Sequence, residues 1–372
     1  MKILFVTNNY KPYSGGVVSS IDAFCNELRS QGHVVKIVTL DFTGSPENDQ
    51  NIIKIVCPFR FFYKHNPIAI PLFMQLQLRK IIKLYKPDIV HTHHPFLLGV
   101  AAQNVCLQQG IPLIFTYHSQ YGLYATHYAP FFKKIVRFCV EKKVKKFCEK
   151  VTAIIAPSQS IAHYLKKQKI KTPCYTLASG LLPCFFHKKR EQKKSKKVFN
   201  LLTVGRFVTE KNIPFLLDVM KHLDERFVLT LIGFGAYYQE LQKYAYQICK
   251  LSTAQVQFIE KPAQTLIAQW YKKADLFVFA STSETQGLVC VESMAAGTPV
   301  IAVKGPGVKE CVKNDSNGYL VKTRKQMVQK IKEVANNASL HEKLCKGAWK
   351  TAKEYSIKKS TQKLIAVYEE IV

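Results

Sequence analysis

The stretch Phe277–Val303, FVFASTSETQGLVCVESMAAGTPVIAV, limits the possible folds more than any other part of the chain. It opens as an apolar strand, passes through a polar turn holding Gly287, and continues as an amphipathic helix predicted to begin near Leu288 and to be closed by Gly297. A second apolar strand follows, so the whole is a βαβ unit. Glu284 and Glu292 stand eight residues apart, the first in the turn and the second within the first turns of the helix. Both carboxylates can then share one mouth with free helix N–H groups and the positive end of the helix dipole. Carboxylates that accept from hydroxyls, beside N–H groups that hold anions, suit a sugar carrying phosphates. The plainer alternative is a turn cap and a solvated helix glutamate.

The same alternation runs through the rest of the chain, whose 372 residues leave room for two domains with separate cores. Lys2–Thr7 is a strand, followed by a loop with Gly15 and Gly16. A helix with Val17, Ile21, Phe24 and Leu28 on one side comes next, ended by Gly32, and Val34–Leu40 is the second strand. This order opens a Rossmann-like domain. Gly15 and Gly16 either let the backbone approach a ligand at the helix N-terminus or form a plain tight turn. The spacing is not GxGxxG, which speaks against a dinucleotide cofactor. Short strands at 88–91, 113–117 and 151–156 follow, the last leading into a helix capped by Ser158.

His91, His93, His94 and His118 fall at strand carboxyl ends, where ligands collect in such sheets. With no acidic cluster nearby, HTHH has poor metal-ligand spacing, and no metal is expected. His118 in TYHSQY either orients or deprotonates an acceptor hydroxyl, or is a hydrogen-bonded structural residue. A second Rossmann-like unit begins at Phe199–Gly205 and runs on as RFVTEKNIPFLLDVM. Arg206 and Lys211 lie between its first strand and the next helix, placed to neutralise a diphosphate leaving group. Strands are expected at 227–233, 256–260 and 276–280, and helices at 324–336, 339–354 and 356–372. The apolar-free run HKKREQKKSKK, residues 187–197, is the one composition break and is expected to be a basic linker between domains 1–186 and 198–355.

SETQGLVCVE followed by AAGTPVIA resembles the E-x7-E signature of the retaining, GT-B-fold glycosyltransferases that use nucleotide-sugar donors, and the resemblance extends over nearly the whole chain. It implies two Rossmann-like domains facing each other across a cleft, with the C-terminal helix 356–372 crossing back to the N-terminal domain. It assigns the donor diphosphate to Arg206 and Lys211, donor-sugar hydroxyls to Glu284, and the ribose to Glu292. Backbone N–H groups would come from Thr285, Gln286, Gly287 and Leu288, with Gly15, Gly16 and His118 on the acceptor side and Gly16 also reaching the donor. The chain departs from the usual pattern at Gln286, where a large apolar residue is common, and in TLASGL, which lacks the usual Asn or Thr before glycine. Retention without a metal or other cofactor is implied, with His118 orienting the acceptor.

The charge balance adds a partner. Lys plus Arg number 54 against 25 Asp plus Glu, a net +29, which implies an anionic partner such as an acidic lipid surface or nucleic acid. Residues 131–150 carry eight basic and two acidic side chains, with Phe132, Val136, Val140, Val144 and Phe147 at helical spacing. Lys133, Lys134, Arg137, Lys142 and Lys145 would flank that face on an anionic bilayer, or else face water while the apolar side meets the core. TYHSQYGLYATHY and this basic helix are most similar to the diacylglycerol glucosyltransferases. The expected reaction is transfer of glucose from UDP-glucose to diacylglycerol at the inner face of the cell membrane, by a cytoplasmic, peripherally bound enzyme. GDP-mannose with phosphatidylinositol, or a polysaccharide acceptor, is the alternative within the class. A nucleic-acid-binding protein is the remote one, disfavoured because no RNA or DNA module is present. The eleven cysteines lack CxxC spacing and read as thiols of a reducing compartment.

Overall fold

The computed structural model describes residues 1–13, 15–63, 66–125, 132–186, 198–260 and 262–372. These form two compact units, Met1–Gly180 with Ile357–Val372, and Leu181–Ser356. The expected basic linker 187–197 lies outside the described residues, as does TYHSQYGLYATHY beyond Ala125.

The first unit contains β1 (Lys2–Val6), β2 (Val34–Leu40), β3 (Ile52–Ile55), β4 (Phe59–Tyr63), β5 (Asn66–Ile70), β6 (Ile89–Thr92), β7 (Leu113–Thr116), β8 (Ala153–Ala156) and β9 (Cys174–Thr176). Its main sheet is parallel, in the order β3-β2-β1-β6-β7-β8-β9, with β4 and β5 paired apart from it as an antiparallel hairpin. Strands β1, β7 and β8 are nearly unbroken apolar runs because both of their faces are covered. Leu4 and Val6 enter one core with Val38, Val90 and Phe115. Phe5 points the other way, against the rings of His91 and His93.

The last helix, Ile357–Ile371, belongs to this first unit and packs beside helix Gly16–Ser30. Its Tyr368 is fully buried, and the hydroxyl lies 2.6 Å from His91 Nδ1, while His91 Nε2 lies 2.7 Å from the Thr116 hydroxyl. Both ring nitrogens of a fully enclosed imidazole are thereby satisfied, as burial requires.

The second unit contains β10 (Phe199–Val204), β11 (Phe227–Gly233), β12 (Val256–Glu260), β13 (Leu276–Phe279), β14 (Val300–Val303) and β15 (Gly318–Val321). They are parallel, in the order β12-β11-β10-β13-β14-β15. The chain winds outward from β10 in one direction, returns, and winds outward from β13 in the other. Such a reversal opens a crevice at the carboxyl ends of β10 and β13, because the two loops depart to opposite faces. Separate apolar clusters fill the two faces, one around Phe227, Leu217 and Ile331, the other around Phe277, Met294 and Tyr271.

The boundary expected near 186 falls instead after Gly180. Leu181 donates its N–H to Tyr355 O at 2.7 Å, and Leu181 and Phe185 are buried with Tyr271 and Met294 in the second unit's core. Apolar side chains, rather than the lysine-rich break that follows them, decide which unit residues 181–186 join.

Tyr368→Phe would leave one buried nitrogen of His91 without a partner, at a cost of about 1–3 kcal/mol. A denaturant titration following the first unit checks this, with an unchanged midpoint as the contrary result.

Candidate active site

Each of the loops leaving β10 and β13 brings one member of an ion pair. After β10 the chain passes Gly205 and Arg206 and forms a short 3-10 turn, Thr209–Lys211. After β13 it runs through the turn holding Glu284 to Gly287, where φ is 76°, a left-handed conformation that suits glycine at this bend. Lys211 Nζ and Glu284 Oε1 are paired directly, each side chain less than a fifth exposed. The ammonium also lies 5.6 Å from the centre of the Phe279 ring. Arg206 is more exposed and lies 3.9 Å from Glu210 Oε1, too long for a strong hydrogen bond.

Helix Leu288–Ala295 starts immediately after this turn and has no side-chain cap. Its leading amides therefore point toward the Glu284 turn, with the positive end of the helix dipole behind them. Gly297, with φ at 77°, closes the helix as expected, and Thr298 N–H reaches back to Ser293 O at 3.1 Å.

Glu292 lies on this helix, and the hydroxyl of the fully buried Tyr271 donates to its Oε2 at 2.9 Å. Burial raises the Glu292 carboxyl to about 7, with the Tyr271 hydrogen bond pulling the other way. One oxygen is thus fixed by Tyr271.

Two supports of this site were not visible beforehand. Tyr271 sits in the mixed polar and apolar helix Gln264–Lys273, whose sequence gives no sign that its hydroxyl meets a carboxylate. Gly305 and Gly307 line the underside of the Glu284 turn, where Gly307 N–H donates to Glu284 O at 3.0 Å. A Cβ on Gly307 would stand 2.6 Å from Gln286 N, so any larger residue would push the turn outward. The Gly-Pro-Gly run at 305–307 was the available signal.

In the first unit, Gly15 and Gly16 begin the helix Gly16–Ser30, which also has no side-chain cap, and a Cβ on either glycine would meet nothing within 4 Å. The structure brings the histidines together, with the ring of His93 stacked between those of His91 and His118. His91 is bound to Tyr368 and Thr116, and His94 Nδ1 lies 3.2 Å from Asn8 N–H, tying the loop after β1 to the loop after β6. Only His93 and His118 pair with each other, Nδ1 to Nε2 at 2.8 Å. Burial holds all four imidazoles below their ordinary value, His91 and His118 to about 3 and His94 to about 4, so they are neutral near pH 7. Among the described residues no three His, Cys, Asp or Glu side chains are placed to hold a metal ion.

The basic helix spans Lys133–Cys148, and the expected apolar face is only partly buried. Val144 and Phe147 reach the core, Val136 and Val140 are half-buried, and Phe132 is exposed because it precedes the helix. Ile135 and Phe138 are exposed as well, between Lys133, Lys134 and Lys142. Arg137 pairs with Glu141 at 2.8 Å, and Lys145 lies 3.8 Å from Glu149.

Residues 14–180 match the family described as Glycosyltransferase Family 4, and residues 185–351 match Glycosyl transferases group 1. The chain is 32% identical over 336 residues to the alpha-monoglucosyldiacylglycerol synthase of Streptococcus pneumoniae, covering 86% of this chain and 75% of that one. It is 27% identical over 384 residues to the alpha-monoglucosyldiacylglycerol synthase of Acholeplasma laidlawii, covering 96% of this chain and 94% of that one. Its fold is similar to the crystal structure of Anabaena HepE in complex with UDP-glucose, with a TM-score of 0.77 at 16% identity over the full length of both chains.

The raised carboxyl of Glu292 gives a stability signature. Because the folded value exceeds the unfolded one, its contribution is whole below about 4.5 and is lost as pH rises through about 7. Glu292→Gln mimics the neutral form, so its melting temperature should match the parent's in acid and exceed it above neutral pH. Parallel melting curves across that range test this, and an identical offset at every pH would contradict it.

Proposed function

This chain belongs to the group 1 glycosyltransferases of the GT-B fold, and from that premise we propose that it transfers glucose from UDP-glucose to diacylglycerol at a membrane surface, with retention of configuration. The observation that carries the donor side is the Lys211–Glu284 pair, set at the winding reversal of a parallel sheet and beside an uncapped helix start. The relatives named for diacylglycerol glucosylation, together with the exposed Phe132, Ile135 and Phe138 among lysines, support the lipid acceptor.

Breaking the anomeric C–O bond builds positive charge on the sugar and negative charge on the departing diphosphate. In the proposed complex the doubly charged diphosphate takes Lys211 from Glu284, and Arg206 and the amides of Leu288 and its neighbours share the developing charge. Glu284, released, accepts from the sugar hydroxyls. Glu292, held by Tyr271, offers its other oxygen to the ribose. Attack comes from the face the leaving group departs from, and the phosphate oxygen takes the acceptor's proton. His118, neutral and tied to His93, orients the acceptor hydroxyl.

No helix among the described residues is long and apolar enough to cross a membrane. Contact with lipid is therefore proposed to be peripheral, through the exposed side of helix Lys133–Cys148 and the attraction of a +29 chain to anionic headgroups.

Incubation with radiolabelled UDP-, GDP- and ADP-sugars in the presence of diacylglycerol, followed by lipid extraction, tests the reading. Label from UDP-glucose should enter the lipid phase, and label confined to water-soluble product would refute the acceptor. Arg206→Ala and Lys211→Ala should each lower kcat by about a hundredfold or more, since one well-placed donor to a developing anion contributes about 2.7–4 kcal/mol. Excess chelator should leave turnover unchanged, and a loss restored by divalent cation would place a metal in the mechanism.

A further inference from the structure

We propose that His93 is a positioning residue that sets the tautomer of His118: it donates from Nδ1 to His118 Nε2, so that His118 holds its one proton on Nδ1 and meets the acceptor as a hydrogen-bond donor. The proposal rests on the acceptor role given to His118 above and adds the residue that governs it.

The two imidazoles meet because their strands are neighbours. β6 pairs with β7 in parallel, and each delivers a histidine just past its carboxyl end. His93 is fastened by its own N–H, which donates to Val6 O on β1 at 3.0 Å, and His118 by its N–H to Thr116 O at 3.1 Å. His93 Nδ1 and His118 Nε2 are then 2.8 Å apart, within hydrogen-bond range. The rings of Phe5 and His91 lie 4.9 and 4.5 Å from that of His93, centre to centre, and the residue is 1% exposed. A side chain so enclosed touches no substrate. Whatever it contributes to the reaction passes through His118.

Which nitrogen donates follows from the far side of the His93 ring. A neutral imidazole has one N–H and one lone pair, so across the 2.8 Å gap one histidine donates and the other accepts. If His118 donated, the single proton of His93 would sit on Nε2. That atom is buried and has no hydrogen-bond partner among the described residues. On the main chain a buried N–H without an acceptor is rarer than a buried acceptor without a donor. The same preference leaves His93 Nε2 bare and puts the proton on Nδ1, facing His118. His91 faces no such choice, since the hydroxyls of Tyr368 and Thr116 that flank it donate or accept as needed.

The consequence falls on the acceptor's proton. With Nδ1 already protonated, His118 holds the acceptor oxygen by one lone pair and does not take the hydroxyl proton. As that oxygen bonds to the anomeric carbon and the bond to the diphosphate breaks, the proton passes to the departing phosphate oxygen. The reverse tautomer would make His118 a general base.

Nitrogen-15 labelling of the histidine rings reads the tautomers near pH 7, with the His118 signals assigned by their loss in His118→Leu. His118 should show a protonated Nδ1 and a bare Nε2, and a bare Nδ1 overturns the proposal. In His93→Leu the His118 ring should populate both tautomers. With UDP-glucose and diacylglycerol, that variant should lose about tenfold in kcat at an unchanged KM for UDP-glucose. His93→Asn, whose amide keeps a donor near the place of Nδ1, should recover most of the loss. Adding His93→Leu to His118→Leu should cost nothing further, because residues that act through one another are not additive. A full additional loss, in variants of equal melting temperature, overturns the proposal by giving His93 a role apart from His118. Should the parent glucosylate no lipid, the reaction proposed above falls, and the ring spectra alone decide the tautomer of His118.

Discussion

Both sheets wind outward from their first strand in two opposite directions, and the positions of Lys211, Glu284, Asn8 and His94 follow from that single constraint. A parallel sheet must send each connection over one face or the other. Where the direction changes, two neighbouring strands release their loops to opposite sides, and nothing from the sheet itself fills the space between. In the second unit those strands are β10 and β13, and the loops carry Lys211 and Glu284. In the first unit they are β1 and β6, and Asn8 and His94 meet there.

Electrostatics then separates the two places. The crevice of the second unit holds formal charges: an ammonium, a carboxylate and a helix start with no side-chain cap. The corresponding place in the first unit holds neutral imidazoles, kept so by burial. A charged ligand group suits the former, whereas hydroxyls suit the latter, since a neutral imidazole both donates and accepts. That division suits the proposed diphosphate donor and uncharged acceptor.

The βαβ unit was legible almost to the residue, because Gly287, Leu288, Gly297 and the apolar run at Val300–Val303 each mark a different local requirement: a left-handed turn, a helix start, a helix stop and a doubly covered strand. The same holds for Ser158, whose side chain accepts from Ile161 N–H at 3.3 Å as its place before a helix predicts. Residues 52–85 were opaque for the opposite reason. Their apolar residues follow no clean period, since much of the hairpin is not buried and burial on one side is what creates periodicity. The partner of His91 was not legible, because sequence position at a strand end does not reveal a residue such as Tyr368, 277 residues away. The unit boundary was displaced by six residues because a lysine-rich run is conspicuous, whereas Leu181 and Phe185 are ordinary apolar residues until their core is known.

The return of helix Ile357–Ile371 to the first unit also governs the order in which the molecule can be completed. During synthesis the sheet β3-β2-β1-β6-β7-β8-β9 leaves the ribosome long before Tyr368 exists, so the nascent first unit carries an enclosed imidazole lacking its hydroxyl and an apolar flank lacking its cover. At about 5–20 residues per second, the whole of Leu181–Ser356 must be translated during that wait, a delay on the order of ten seconds or more. The second unit is contiguous and can close first. Of the two units, the one whose sheet is translated earlier is therefore the one that matures later, and it is the one through which a chaperone would have more to protect.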